Sequence, residues 1–158
     1  MNQLNGSPLV LTAPPPAARV SRAAVGFFVA GLVMTVAALG YTLLDQTVLG
    51  GLNAQLHAVY DSYGKHVRPG ALYGYLYALG GLGVVGWLCC LNRIRRSPRA
   101  ARIWSSSVLV LSAPAIAPLL LQEYGQFVFP VSFAAIYSGI WVLGLVGTVL
   151  LFRRTKSG

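Results

Sequence analysis

Ala23–Leu44 runs for 22 residues without a charged side chain. A helix of about 20 apolar residues crosses the hydrocarbon core of a bilayer, so this run is long enough to span one. Three more such runs follow at Ala71–Leu91, Trp104–Leu121 and Phe127–Phe152. The sequence therefore predicts an all-α integral membrane protein, a four-transmembrane-helix bundle. The charge content agrees. Charged residues are 9% of the 158, whereas a soluble domain carries about 25%.

The domain organisation follows from these runs. Residues 1–18 are polar, end in Pro14-Pro15-Pro16, and read as a disordered Pro-rich tail. Residues 19–153 form the membrane domain and 154–158 a basic C-terminal tail. Arg19 and Arg22 ahead of an apolar stretch with Ala38-Leu39-Gly40 imitate a secretory signal and its cleavage site. The apolar run continues to Leu44, so the first span is expected to be retained. Pro114 and Pro118 should bend the third span, with Ser112 placed to re-bond freed carbonyls. Pro130 is expected in the first turn of the fourth, where a missing amide costs little. In the second span Ala71, Gly74, Ala78 and Gly81 recur at spacings of three and four. A stripe of small residues lets helices approach closely, and this one is expected to set the packing. Cys89 and Cys90 are adjacent, with neither C-x-x-C nor zinc-ligand spacing, and read as small apolar fillers.

The net charge of +9 could suggest a nucleic-acid partner, but its placement excludes one. Ten of the twelve basic residues lie in three clusters beside apolar runs: Arg19 and Arg22; Arg93, Arg95, Arg96, Arg99 and Arg102; Arg153, Arg154 and Lys156. With four spans, all three clusters fall on one side, which holds no acid. The other side carries Lys65 and Arg68 against Asp45, Asp61 and Glu123. Basic residues mark the cytoplasmic side, so N-in and C-in topology is expected. The ten-to-two preference for Arg over Lys points to a GC-rich bacterium, and hence to a bacterial cytoplasmic membrane.

Every carboxylate and both histidines then face outward, and any polar site belongs there. Between spans one and two, residues 49–65 fit an outward-facing interfacial amphipathic helix. Leu49, Leu52, Leu56, Val59 and Tyr63 make its apolar stripe, and Asn53, His57, Asp61 and Lys65 a polar one beside it. His57 and Asp61 stand one turn apart, the spacing for a surface ion pair or for an oriented general base. Asp45 and Glu123 end the first and third spans, and Tyr73 and Tyr77 share a face at similar depth. Two readings follow. The leading one is non-catalytic: binding of a lipid, another lipophilic ligand or a partner membrane protein through the outer half. The rival is a membrane enzyme on a lipophilic substrate, with His57 as base, Asp61 as its orienter, and Glu123 or Asp45 as acid. Asn53, His66, Tyr73 and Tyr77 are the candidate ligand-binding residues in either case. A proton-coupled carrier would need an acid deep in a span, and none lies there. Nothing in the spacing of His57, His66, Asp45 and Glu123 selects a metal, and no cofactor is expected.

Overall fold

The computed structural model describes residues 22–153, so the two expected tails lie outside the described residues. Helix α1 covers Arg22–Leu44 and continues as a wider π-helical turn over Asp45–Leu49. Helix α2 is Gly51–Tyr60, followed by a 3-10 turn at Asp61–Tyr63. Helix α3 is Pro69–Arg96 and α4 is Pro98–Ile116, the latter ending in a 3-10 turn at Ala117–Leu120. Strands β1, Gln122–Glu123, and β2, Gln126–Phe127, form a short hairpin, and α5 covers Val131–Phe152. Among the described residues, four helical segments are long and apolar enough to cross a membrane: Arg22–Leu49, Pro69–Arg96, Arg99–Leu120 and Val131–Phe152. The chain is thus an all-α bundle of four such helices, with α2 and the hairpin at one end.

Several boundaries differ from the sequence expectation, each for a local reason. The α3–α4 connection is not a loop over 92–103 but the single residue Ser97. Ser97 is extended and its hydroxyl accepts from the Ala100 amide at 3.4 Å, and Pro98 supplies a first helical residue that needs no donor. Both helices therefore run through the arginines. The fourth helix starts at Val131, with Pro130 as its extended N-cap, because Phe127 is spent on the hairpin. The expected helix over 49–65 is cut to Gly51–Tyr60. Gly50 takes a left-handed conformation at φ 64° and breaks it from α1, and Gly64 at φ 65° closes the far turn. Of its expected apolar stripe, Leu52, Leu56 and Val59 are buried, while Leu49 and Tyr63 are exposed.

Helix α1 packs between α3 and α5. Its buried residues are Ala24, Phe28, Gly31, Thr35, Ala38, Thr42 and Asp45, alternating steps of four and three along one seam. The close approaches fall at glycines that leave room for a neighbour's side chain. A Cβ on Gly31 would lie 2.5 Å from the Trp87 ring, and one on Gly80 would lie 2.4 Å from Leu39. Trp87 also lies against Gly144 of α5, and Phe28 against Gly147. Trp87 Nε1 donates to Thr35 Oγ1 at 2.9 Å, and Thr35 donates to the Gly31 carbonyl at 2.7 Å. The expected stripe in α3 is a different face. Ala71, Gly74, Ala78 and Gly81 are all exposed, and a Cβ at Gly74 or Gly81 would meet nothing within 4 Å. Small size marks where a helix can approach, but the opposing knob decides where it does.

Candidate functional site

The α2 end is a cap in which most polar groups already have partners. Asp45 ends the α1 seam and is 2% exposed. Its carboxylate accepts from the amides of Gly51 at 2.9 Å and Leu52 at 3.0 Å, and from the Tyr73 hydroxyl at 2.8 Å. Those amides open α2, so a buried negative charge meets a helix N-terminus and a hydroxyl. Position 51 must stay small, since a Cβ there would be 2.7 Å from Asp45 Oδ1. Tyr77 donates to Gln46 Oε1 at 2.7 Å, a second tie between α3 and the end of α1. Tyr75 of α3 reaches the Ala115 carbonyl of α4, beside the prolines. Ser112 bonds the Leu109 carbonyl at 2.9 Å, one residue before the carbonyl that Pro114 leaves without its amide.

The hairpin turns through Tyr124, at φ 55°, and Gly125, at φ 80°. Two successive positive φ values make the tight two-residue turn that suits twisted strands. This places Glu123 against α2, where the Tyr60 hydroxyl donates to Oε2 at 2.5 Å. Burial, then the Glu123 hydrogen bond and charge, push the Tyr60 phenol up to about 12. Lys65 donates to the Tyr124 hydroxyl at 2.7 Å, which raises its ammonium above the ordinary value. Tyr63 stacks on Tyr124 at 4.0 Å, and Gln55 donates to the Phe127 carbonyl at 2.8 Å. The two connections at this end are thereby joined.

The candidate residues thus fall into separate groups. His57 Nδ1 lies 2.9 Å from Asp61 Oδ2, and both side chains are about half exposed, at 57% and 50%. His66 approaches the other Asp61 oxygen at 3.8 Å and is more exposed still. Asn53 is exposed. Glu123 bonds Tyr60, and Asp45 bonds Tyr73. Among the described residues no three His, Cys, Asp or Glu side chains gather as a metal site requires.

A cavity lies elsewhere. About 400 Å³ lies between α3, α4 and α5, with Phe28 and Thr35 of α1 at its back. None of the eight residues singled out from the sequence lines it. All three tryptophans of the chain do: Trp87, Trp104 and Trp141. Leu82, Val85 and Leu111 on its rim are exposed, so it opens sideways between α3 and α4. The lining contains no histidine, carboxylate, lysine or arginine. Its hydroxyls are largely committed to the fold, as Ser105 is to the Arg102 carbonyl at 3.1 Å and Tyr137 to the Leu76 carbonyl at 3.1 Å. Sequence reasoning missed this region because it sought ionisable groups. The available signal was the position of Trp87 and Trp141 inside apolar runs, away from the interfaces where tryptophan usually sits. The chain matches no family model, no curated protein and no solved structure.

Proposed function

We propose that the chain is a non-catalytic integral membrane protein that binds a lipid or other lipophilic ligand in the side cavity. In this reading the termini and the arginine end face the cytoplasm, in line with the positive-inside bias, and α2 lies at the outer interface. One observation carries the binding reading: a 400 Å³ cavity walled by three tryptophans and open sideways. That is the size of small-molecule sites, and its opening would face acyl chains. Acid–base catalysis gains no support there, since the lining holds no histidine, carboxylate, lysine or arginine. At the outer end, the exposed His57–Asp61 pair and the Glu123–Tyr60 pair are bonded apart from each other.

The tryptophans provide the test. Protein in non-ionic detergent is titrated with phosphatidylcholine carrying brominated chains, which quench indole fluorescence on contact. Saturable quenching is expected in the wild-type protein, and most of it should vanish in Ser112→Phe, which fills the cavity from α4. Should Ser112→Phe lose its fold, Ala115→Leu fills the same space with less bulk. Quenching that never saturates, or that survives both substitutions in folded protein, would overturn the reading.

A further inference from the structure

We infer that the cavity receives one acyl chain of an anionic phospholipid, whose phosphate is held at the arginine end. This rests on the lipid-binding reading and adds the head group to it. The cavity is elongated. Along α4 its lining runs from Trp104 to Ile116, roughly 18 Å at the helical rise, and almost all of it is apolar. Such a slot suits an extended chain.

The end at Trp104 has a different character. The Arg93 guanidinium lies 4.8 Å from the centroid of the Trp104 ring. Trp104 Nε1 is buried without a hydrogen-bond partner, and among the described residues no other buried side-chain nitrogen or oxygen is left so. A small shift of the Trp104 ring would be needed to bring this donor to a ligand oxygen, which would then supply the acceptor that the fold omits. Arg93, Arg95, Arg96, Arg99 and Arg102 crowd the end of α3 and the start of α4, while all three carboxylates of the chain lie at the opposite end. No acidic side chain neutralises them. Arg102 does bond the fold, through Nε to the Leu151 carbonyl at 2.8 Å, but Arg93 is exposed beside the cavity's own tryptophan. A basic cluster near a membrane attracts any anionic lipid. A chain slot that begins beside one of its arginines converts that general attraction into a site, because head and chain are met together.

The test adds phosphatidylglycerol with the same brominated chains to the titration of the full-length protein. The anionic lipid should reach half-quenching at a mole fraction about fivefold lower than phosphatidylcholine, the worth of one arginine near an anionic surface. Arg93→Gln should bring the two curves together without reducing the depth of quenching. Arg153→Gln, which removes an equal charge away from the cavity lining, should leave the preference in place. Coincident curves in the wild-type protein would overturn the head-group inference while chain binding stands. Equal loss of preference in both arginine variants would reduce it to general surface charge. A brominated fatty acid that quenches at a lower mole fraction than phosphatidylglycerol would assign the slot to a single-chain acid instead. If Ser112→Phe quenches like the wild-type protein, chain binding itself fails.

Discussion

Helices α1 and α4 are both apolar enough to cross a membrane, yet they are held in different ways. Within their most apolar stretches, 28% of the α1 residues are buried against the bundle, but only 11% of those in α4. The α1 seam is locked by glycine–aromatic contacts and ends on a buried carboxylate with three donors. Helix α4 meets Gly86 of α3 through Val108, accepts from Trp141 Nε1 at its Leu109 carbonyl, at 3.3 Å, and from the Tyr75 hydroxyl at its Ala115 carbonyl, and donates from Arg102 to the Leu151 carbonyl. The cavity opens beside it. Apolarity decides whether a helix can span; knobs, notches and hydroxyls decide how firmly it is held. Space for a ligand appears along the least buried of the four.

The comparison predicts unequal responses to mutation, readable by unfolding in detergent. The largest should come from Asp45→Ala, which strands two α2 amides and the Tyr73 hydroxyl away from water. A loss of about 3 kcal/mol or more is expected, and a loss below about 1 kcal/mol would mean that the α1 terminus is not clamped by this carboxylate. Next, Gly80→Leu forces a side chain into Leu39 and should cost about 2 kcal/mol. Gly74→Leu, on the exposed face of the same helix, should change stability by less than about 0.5 kcal/mol. Equal costs at 74 and 80 would show that the contact face has been misplaced. The smallest effect belongs to the cap surface. His57→Ala and Asp61→Ala should couple by less than about 0.5 kcal/mol in a double-mutant cycle. Coupling of about 1.5 kcal/mol or more would place the pair in a desolvated pocket and revive the enzyme reading.

The four long helices were legible because charge-free runs of span length have few other solutions. Their ends were less so. The start of α4 was written in Ser97-Pro98, a cap and first-turn pair, but the arginines that follow made the segment look like a loop. The hairpin was hidden because Tyr124 occupies a positive-φ position where Asn or Asp is usual; only Gly125 marked it. Buried faces were the least legible part. In a soluble helix the polar side identifies the other as core, but along α1 and α5 both sides are apolar, and the contrast that reveals a face is missing. The stripe at Ala71, Gly74, Ala78 and Gly81 was chosen by size alone, and size does not say where Trp87 or Leu39 will press. The cavity was invisible for a related reason, since a slot between apolar helices leaves no chemical trace along any one of them.

The attachment of α4 has a mechanical consequence. At one end it is pinned by the one-residue connection at Ser97 and the bond from Arg102 to the Leu151 carbonyl. At the other it is tied through the hairpin to α2, by Tyr60 to Glu123 and Gln55 to Phe127. Between these anchors Trp141 and Tyr75 hold the Leu109 and Ala115 carbonyls, and Pro114 lacks the amide that would stiffen the helix there. A strip held at both ends and softened within bends more readily than it shifts. Any bending of α4 at Pro114 would therefore change the width of the slot while neither end of the helix has to move.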